Sequence, residues 1–118
     1  MPLGNDIWIK VAASVQALPF GANGIADVEA AGKRFCIARY KQDVFAFAHK
    51  CPHASGRFSE GFIDIFGNVV CPVHRYRFCL QNGRNVSGEG YYLKHWPVEV
   101  RADGVYIAFE KQGLPGSF

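Results

Sequence analysis

No window of eleven or more residues in this chain of 118 carries the apolar stripe of an amphipathic helix. Short apolar runs alternate with turn signals along the whole length, and thirteen glycines and six prolines supply the turns. Punctuation of that density argues against long helices and for many short strands, as in an all-β sandwich or small barrel. The clearest hairpin lies near the C-terminus. There Val98, Val100, Val105, Ile107 and Phe109 alternate with Glu99, Arg101, Tyr106, Ala108 and Glu110 around the turn Asp103-Gly104. Strands are also expected at 7–11, at 25–30 and 33–40 joined by Ala31-Gly32, and at 44–48, 62–65, 68–71 and 78–80. The stretch from Ala12 to Pro19 has room for one helical turn at most. Lys50 to Glu60 and Gln81 to Gly90 read as irregular loops.

Length and composition bound the functional classes. One domain, 1–118, accounts for the whole chain. Hydrophobic residues at 49% and charged residues at 19% are ordinary for a globular protein. A net charge of +3 with a pI near 8.7 is too mild and too dispersed for a nucleic-acid module. The apolar run Val44–Ala48 is only five residues long, against the ~18 of a membrane span. The stretch from Met1 to Asp6 lacks a basic start and an apolar segment, so a cytoplasmic protein is expected. In that reducing setting four cysteines favour metal ligation over disulfides.

Two motifs carry the chemistry. Cys51-Pro52-His53 is a Cys-x-His, Cys71-Pro72-Val73-His74 is a Cys-x-x-His, and seventeen residues lie between His53 and Cys71. Each motif offers one thiolate and one imidazole in a proline-stiffened loop after a predicted strand. Two such loops side by side present two sulfurs and two nitrogens. Zinc accepts that set in a tetrahedron, although Cys-x-His is an uncommon zinc spacing. A two-iron cluster accepts it with both Cys on one iron and both His on the other, so that each loop serves each iron. The mixed pairing within both loops fits the second arrangement directly.

The pattern resembles the Rieske family. The likeness runs from Cys51-Pro52-His53 through Phe58-Ser59-Glu60-Gly61, and from Cys71-Pro72-Val73-His74 through Arg77-Phe78. It continues into Asn82-Gly83-Arg84 and Trp96-Pro97-Val98-Glu99-Val100, so that Ile7 to Phe109 is covered. The resemblance implies three stacked antiparallel sheets, with a small cluster-binding subdomain at about 49–81. It implies a [2Fe-2S] cluster held by Cys51, His53, Cys71 and His74, with the imidazole edges toward solvent as an exit for electrons. High-potential members join the two loops with one further cysteine in each. The matching positions here are Gly56 and Val73, so that bridge is absent. Those members also place Ser and Tyr donors where this chain has Tyr76 and Phe78. Fewer donors to the cluster place its potential toward the lower end of the ~−150 to +300 mV range of such centres. Arg75 stands where many Rieske ferredoxins have Gly.

Other residues have plainer readings. Cys36 and Cys79 read as small hydrophobes outside the ligand spacing. His49 reads as a loop residue, His95 as a strand residue, and Trp8 and Trp96 as packing. Phe58, Phe62 and Phe66 read mostly as core filling. Lys50, Arg57, Arg75, Arg77 and Arg84, against Glu60 and Glu89, make a cation surplus near the loops. That surplus suits the steering of an acidic partner, and equally an ordinary solvated face.

The resemblance implies a one-electron carrier rather than an enzyme. Electrons would pass from a flavin- or NAD(P)H-dependent reductase to a terminal oxygenase or reductase, and a monomer suits such a diffusing carrier. A NirD-like small subunit of nitrite reductase is the nearest rival. A structural zinc-binding interaction module is the rival from another class.

Overall fold

The computed structural model describes residues 6–52, 56–88 and 90–110. Ten strands run through them: β1 (Asp6–Ala12), β2 (Ile25–Ala30), β3 (Lys33–Tyr40), β4 (Asp43–Ala48), β5 (Phe62–Ile63), β6 (Asn68–Val70), β7 (Arg77–Cys79), β8 (His95–Trp96), β9 (Val98–Arg101) and β10 (Gly104–Glu110). Helix among the described residues is confined to single 3-10 turns at Val15–Ala17 and Phe58–Glu60. Among the described residues no helix is long and apolar enough to cross a membrane. The chain is all-β, as the turn density implied.

The strands form three antiparallel sheets, ordered β1-β10-β9, β2-β3-β4-β8 and β5-β6-β7. The reason for stacking is written in β3. Its run Phe35-Cys36-Ile37-Ala38 is buried at every position, and side chains alternate across a strand. Phe35 and Ile37 face one core, with Ala46 and Trp96 of the same sheet and Val105, Ile107 and Phe109 of β10. Cys36 and Ala38 face a second core, with Phe47 of the same sheet and Val69 and Phe78 of the third. The four-stranded sheet is therefore the middle layer, covered on both faces.

Edge-to-face aromatic contacts join the layers. Phe35, Trp96 and Phe109 form one set, with ring centroids 5.2–6.4 Å apart. On the other side Phe58 stands between Phe47 at 5.6 Å and Phe78 at 5.8 Å. Phe58 thereby ties the middle sheet to the third.

Most expected elements are present with shifted ends. The β2–β3 hairpin turns at Ala31-Gly32, both with positive φ (54° and 75°), the two-residue turn whose twist suits a hairpin. In the β9–β10 hairpin, Gly104 pairs with Arg101, so the turn residues are Ala102 and Asp103 rather than Asp103-Gly104. Gly104 is required for another reason: a Cβ there would lie 2.6 Å from the Ala12 carbonyl oxygen on β1. Two of the three loop phenylalanines depart from expectation. Phe58 is buried, but Phe62 is 41% and Phe66 77% exposed. They belong to a two-residue strand and a turn, too short for one face to be covered.

The third sheet is secured by one carboxylate. Asp64 accepts from the backbone N–H groups of Phe66 and Asn68, from the Asn68 amide and from Arg77 at 2.7 Å. Burial acts to raise its pKa, but the hydrogen bonds from Asn68, Arg77 and Phe66 outweigh it and leave the group below the usual 3.8. A depressed carboxylate stabilises the fold above its unfolded pKa, and that contribution is lost as pH falls through the folded value. Asp64→Asn is expected to cost about 1–2 kcal/mol at pH 7 and to flatten the loss of stability below pH ~4. Urea midpoints from pH 2 to 7 check this; parallel profiles for variant and parent would remove Asp64 from the acid response.

Candidate metal centre

The two Cys/His loops emerge side by side from two different sheets. The first follows β4 and is closed by hydrogen bonds from Cys51 N–H to the Gly56 carbonyl (2.8 Å) and from Phe58 N–H to the His49 carbonyl (3.0 Å). The second follows β6 and is closed from Cys71 N–H to the Tyr76 carbonyl and from Arg75 N–H to the Cys71 carbonyl, both 2.9 Å. Arg75 ends this turn in the left-handed region, at φ 59°. Glycine adopts that conformation without the steric penalty a Cβ brings.

Within the loops the donors separate by environment. Cys51 (3% exposed) and Cys71 (0%) lie in one apolar cluster with Phe58, Phe78, Leu80 and Leu93. His74 is exposed, with its ring 6.2 Å from that of the half-buried Tyr76. His53 lies outside the described residues, as do Ser55 and Glu89. Among the described residues no three His, Cys, Asp or Glu side chains gather as a single metal ion requires.

Whether this site suits such a cluster is tested at Gly56. A Cβ built there would lie 2.8 Å from Cys71 Sγ and 2.6 Å from Val73 Cγ2. The first loop thus presses its backbone against the second loop's sulfur, a closeness only glycine permits. The same Cβ would lie 3.4 Å from Val73 Cβ, so positions 56 and 73 face each other as a bridging pair must. Two buried soft donors, an imidazole at the solvent edge and loops in mutual contact fit a cluster with thiolate and imidazole ends.

The model of the Rieske [2Fe-2S] domain matches residues 7–97. The chain belongs to the Rieske family. Its cofactor is accordingly a [2Fe-2S] cluster, and its role is electron transfer rather than catalysis. The 3-phenylpropionate/cinnamic acid dioxygenase ferredoxin subunit of Photorhabdus laumondii is 30% identical over 77 residues, 64% of this chain and 73% of that protein. A complex of reduced oxygenase and oxidized ferredoxin in carbazole 1,9a-dioxygenase contains a chain that superposes with a TM-score of 0.72 at 28% identity. That superposition covers 88% of this Rieske chain and 94% of the other. A putative small subunit of NADPH nitrite reductase superposes with a TM-score of 0.71 at 24% identity, over 86% and 97% of the two chains. That last likeness is one of fold.

Around the site the plainer residues keep plain roles. Burial, with the nearby Asp27 carboxylate adding to it, pushes the Cys36 thiol up to about 12, which leaves it an inert core group. Cys79 is half-buried, His49 serves through its backbone carbonyl and His95 is an exposed residue of β8. One clamp is not legible in the sequence. The Asn23 amide donates to the carbonyls of Ser59 and Gly61, each at 2.9 Å, and its oxygen accepts from Ile25 N–H. It ties the exit of the first loop to the start of β2. In sequence Asn23 is one more polar residue in a glycine-bounded turn.

Proposed function

We propose that this Rieske protein is a soluble, cytoplasmic ferredoxin that takes single electrons from a flavin- or NAD(P)H-dependent reductase and delivers them to a terminal oxygenase. Cys51 and Cys71 hold one iron, His53 and His74 the other, and residues of about 49–81 serve as the cluster-binding unit. The observation that carries this reading is the approach of Gly56 to Cys71 Sγ, which sets the two ligand loops in contact over one apolar floor. The bound cluster supplies reversible one-electron chemistry. The chain does the rest. Phe58 and Phe78 keep water from the sulfur side, and the exposed His74 brings an imidazole edge within reach of a docked partner.

The choice of an oxygenase as acceptor is supported by the dioxygenase ferredoxin subunit at 30% identity and the oxygenase-bound ferredoxin complex at 28%. The nitrite reductase reading rests on fold alone, and stable co-purification with a large reductase subunit would favour it. The test is direct. Protein purified without air is expected to hold about two iron and two sulfide per chain, and to give the paramagnetic resonance signal of a two-His, two-Cys cluster on dithionite reduction. A colourless, silent protein with about one zinc per chain would overturn the proposal. His74→Cys and His53→Cys are each expected to alter the visible spectrum while leaving the fold intact. An unchanged spectrum would strike that residue from the ligand set.

A further inference from the structure

The end of the molecule that carries the ligand loops has an uneven distribution of charge. Lys50 and Arg57 pair across the neck of the first loop, and Arg75 closes the second. All three are exposed, and none takes part in an ion pair among the described residues. Arg77, a neighbour in sequence, is different: Asp64 neutralises it. Of the described carboxylates flanking these loops, Glu60 is exposed beside Arg75 at a shallow cavity shared with Phe62, Cys71 and Pro72. Val73, half exposed at 50% and set against Gly56 beside Arg57, and Phe62, at that same cavity with Arg75, add exposed apolar surface to these loops. Protein interfaces combine apolar surface with charged groups.

Arg75 adds an independent observation. A side chain held at φ 59° costs about 1–2 kcal/mol relative to glycine. The turn's backbone asks for glycine, yet the chain keeps a guanidinium there, exposed and in no ion pair among the described residues. Strain retained at an exposed loop tip points to a use for the side chain.

We infer that Lys50, Arg57 and Arg75 on the two ligand loops, together with the exposed Val73 and Phe62, form a cationic docking face whose occupant is a redox partner with an acidic docking face. This rests on the proposed electron-carrier function and adds the sign of the partner's surface. Charge complementarity at such a face raises encounter rates and rejects partners of like sign, and does so less at high salt.

The test uses two small oxidants of opposite charge on the reduced, cluster-loaded protein: the trianion hexacyanoferrate(III) and the trication tris(phenanthroline)cobalt(III). Between low and high ionic strength the trianion's rate is expected to fall about tenfold and the trication's to rise. The variant Lys50→Gln/Arg57→Gln/Arg75→Gln should flatten both. A second variant, Lys10→Gln/Lys41→Gln/Arg101→Gln, removes as much formal charge from elsewhere and should leave most of the salt dependence in place. Equal flattening by both variants would assign the effect to net charge and overturn the docking face. Arg75→Gly relieves the backbone and is expected to fold at least as stably, yet to lose part of the trianion's advantage. A readout free of electron transfer is line broadening by the paramagnetic trianion hexacyanochromate(III). It should concentrate on the amides of 50, 57 and 73–75, beyond the broadening due to the cluster itself. Broadening spread evenly over the surface would also overturn the inference. A protein that binds no cluster yet gathers hexacyanochromate at these residues would refute the carrier reading and leave the cationic face standing.

Discussion

Phe58→Ala is expected to cost about 3–5 kcal/mol, the range of a large aromatic removed from a packed core. The ring is fully buried and meets Phe47 and Phe78 edge-on, so its loss empties the junction between the middle and third sheets. It also follows the first ligand loop directly, where its N–H closes that loop onto the His49 carbonyl. Collapse of the cavity would therefore move the floor on which Cys51 and Cys71 sit. The cluster-loaded fraction is expected to fall together with stability. Phe58→Leu keeps most of the volume and gives up only the edge-to-face contacts, at about 1–1.5 kcal/mol. Urea unfolding of the three proteins, read with iron content, checks the argument. A loss below 1 kcal/mol for the alanine variant would mean that the two sheets are joined mainly by other contacts.

The parts of this fold that were legible in sequence are those decided by neighbours. Ala31-Gly32 makes a two-residue turn from its own backbone preferences, and the strands on either side follow. Cys51-Pro52-His53 and Cys71-Pro72-Val73-His74 can be read as ligand loops because each motif is complete within a few residues. The run Phe35-Cys36-Ile37-Ala38 is also informative on its own: four apolar residues in a strand imply cover on both faces, and hence a middle layer. What could not be read depends on distant segments meeting. β1 pairs with β10, and β8 joins the edge of β4, on contacts that no local pattern reports. Hydrophobicity alone marks Phe62 and Phe66 as core, but a two-residue strand and a turn are too short to hide them. Asp64 and Asn23 have ordinary turn surroundings in sequence. Their work as clamps appears only once Arg77, Ser59 and Gly61 are in place.

Gly56→Ala is expected to weaken cluster binding roughly ten- to a hundredfold, and to lower iron content with it, while the protein still folds. The added methyl would meet Val73 Cγ2 at 2.6 Å and Cys71 Sγ at 2.8 Å, and these two neighbours differ in what they can do. Val73 is half exposed, so its side chain can rotate away at little cost. The sulfur of Cys71 cannot move if it is bonded to iron, so the strain falls on the loaded state. Overpacking of this kind costs about 1–3 kcal/mol, and a tenfold change in an equilibrium is about 1.4 kcal/mol. Free of metal, Cys71 can swing aside, and the variant's unfolding midpoint without cluster should stay close to that of the parent. The double variant Gly56→Ala/Val73→Ala decides which contact matters. Cluster content should remain low in it, because removing the Val73 methyls leaves the approach to Sγ unchanged. Recovery of full iron and sulfide in the double variant would trace the defect to Val73, and would remove the main structural support for Cys71 as a ligand.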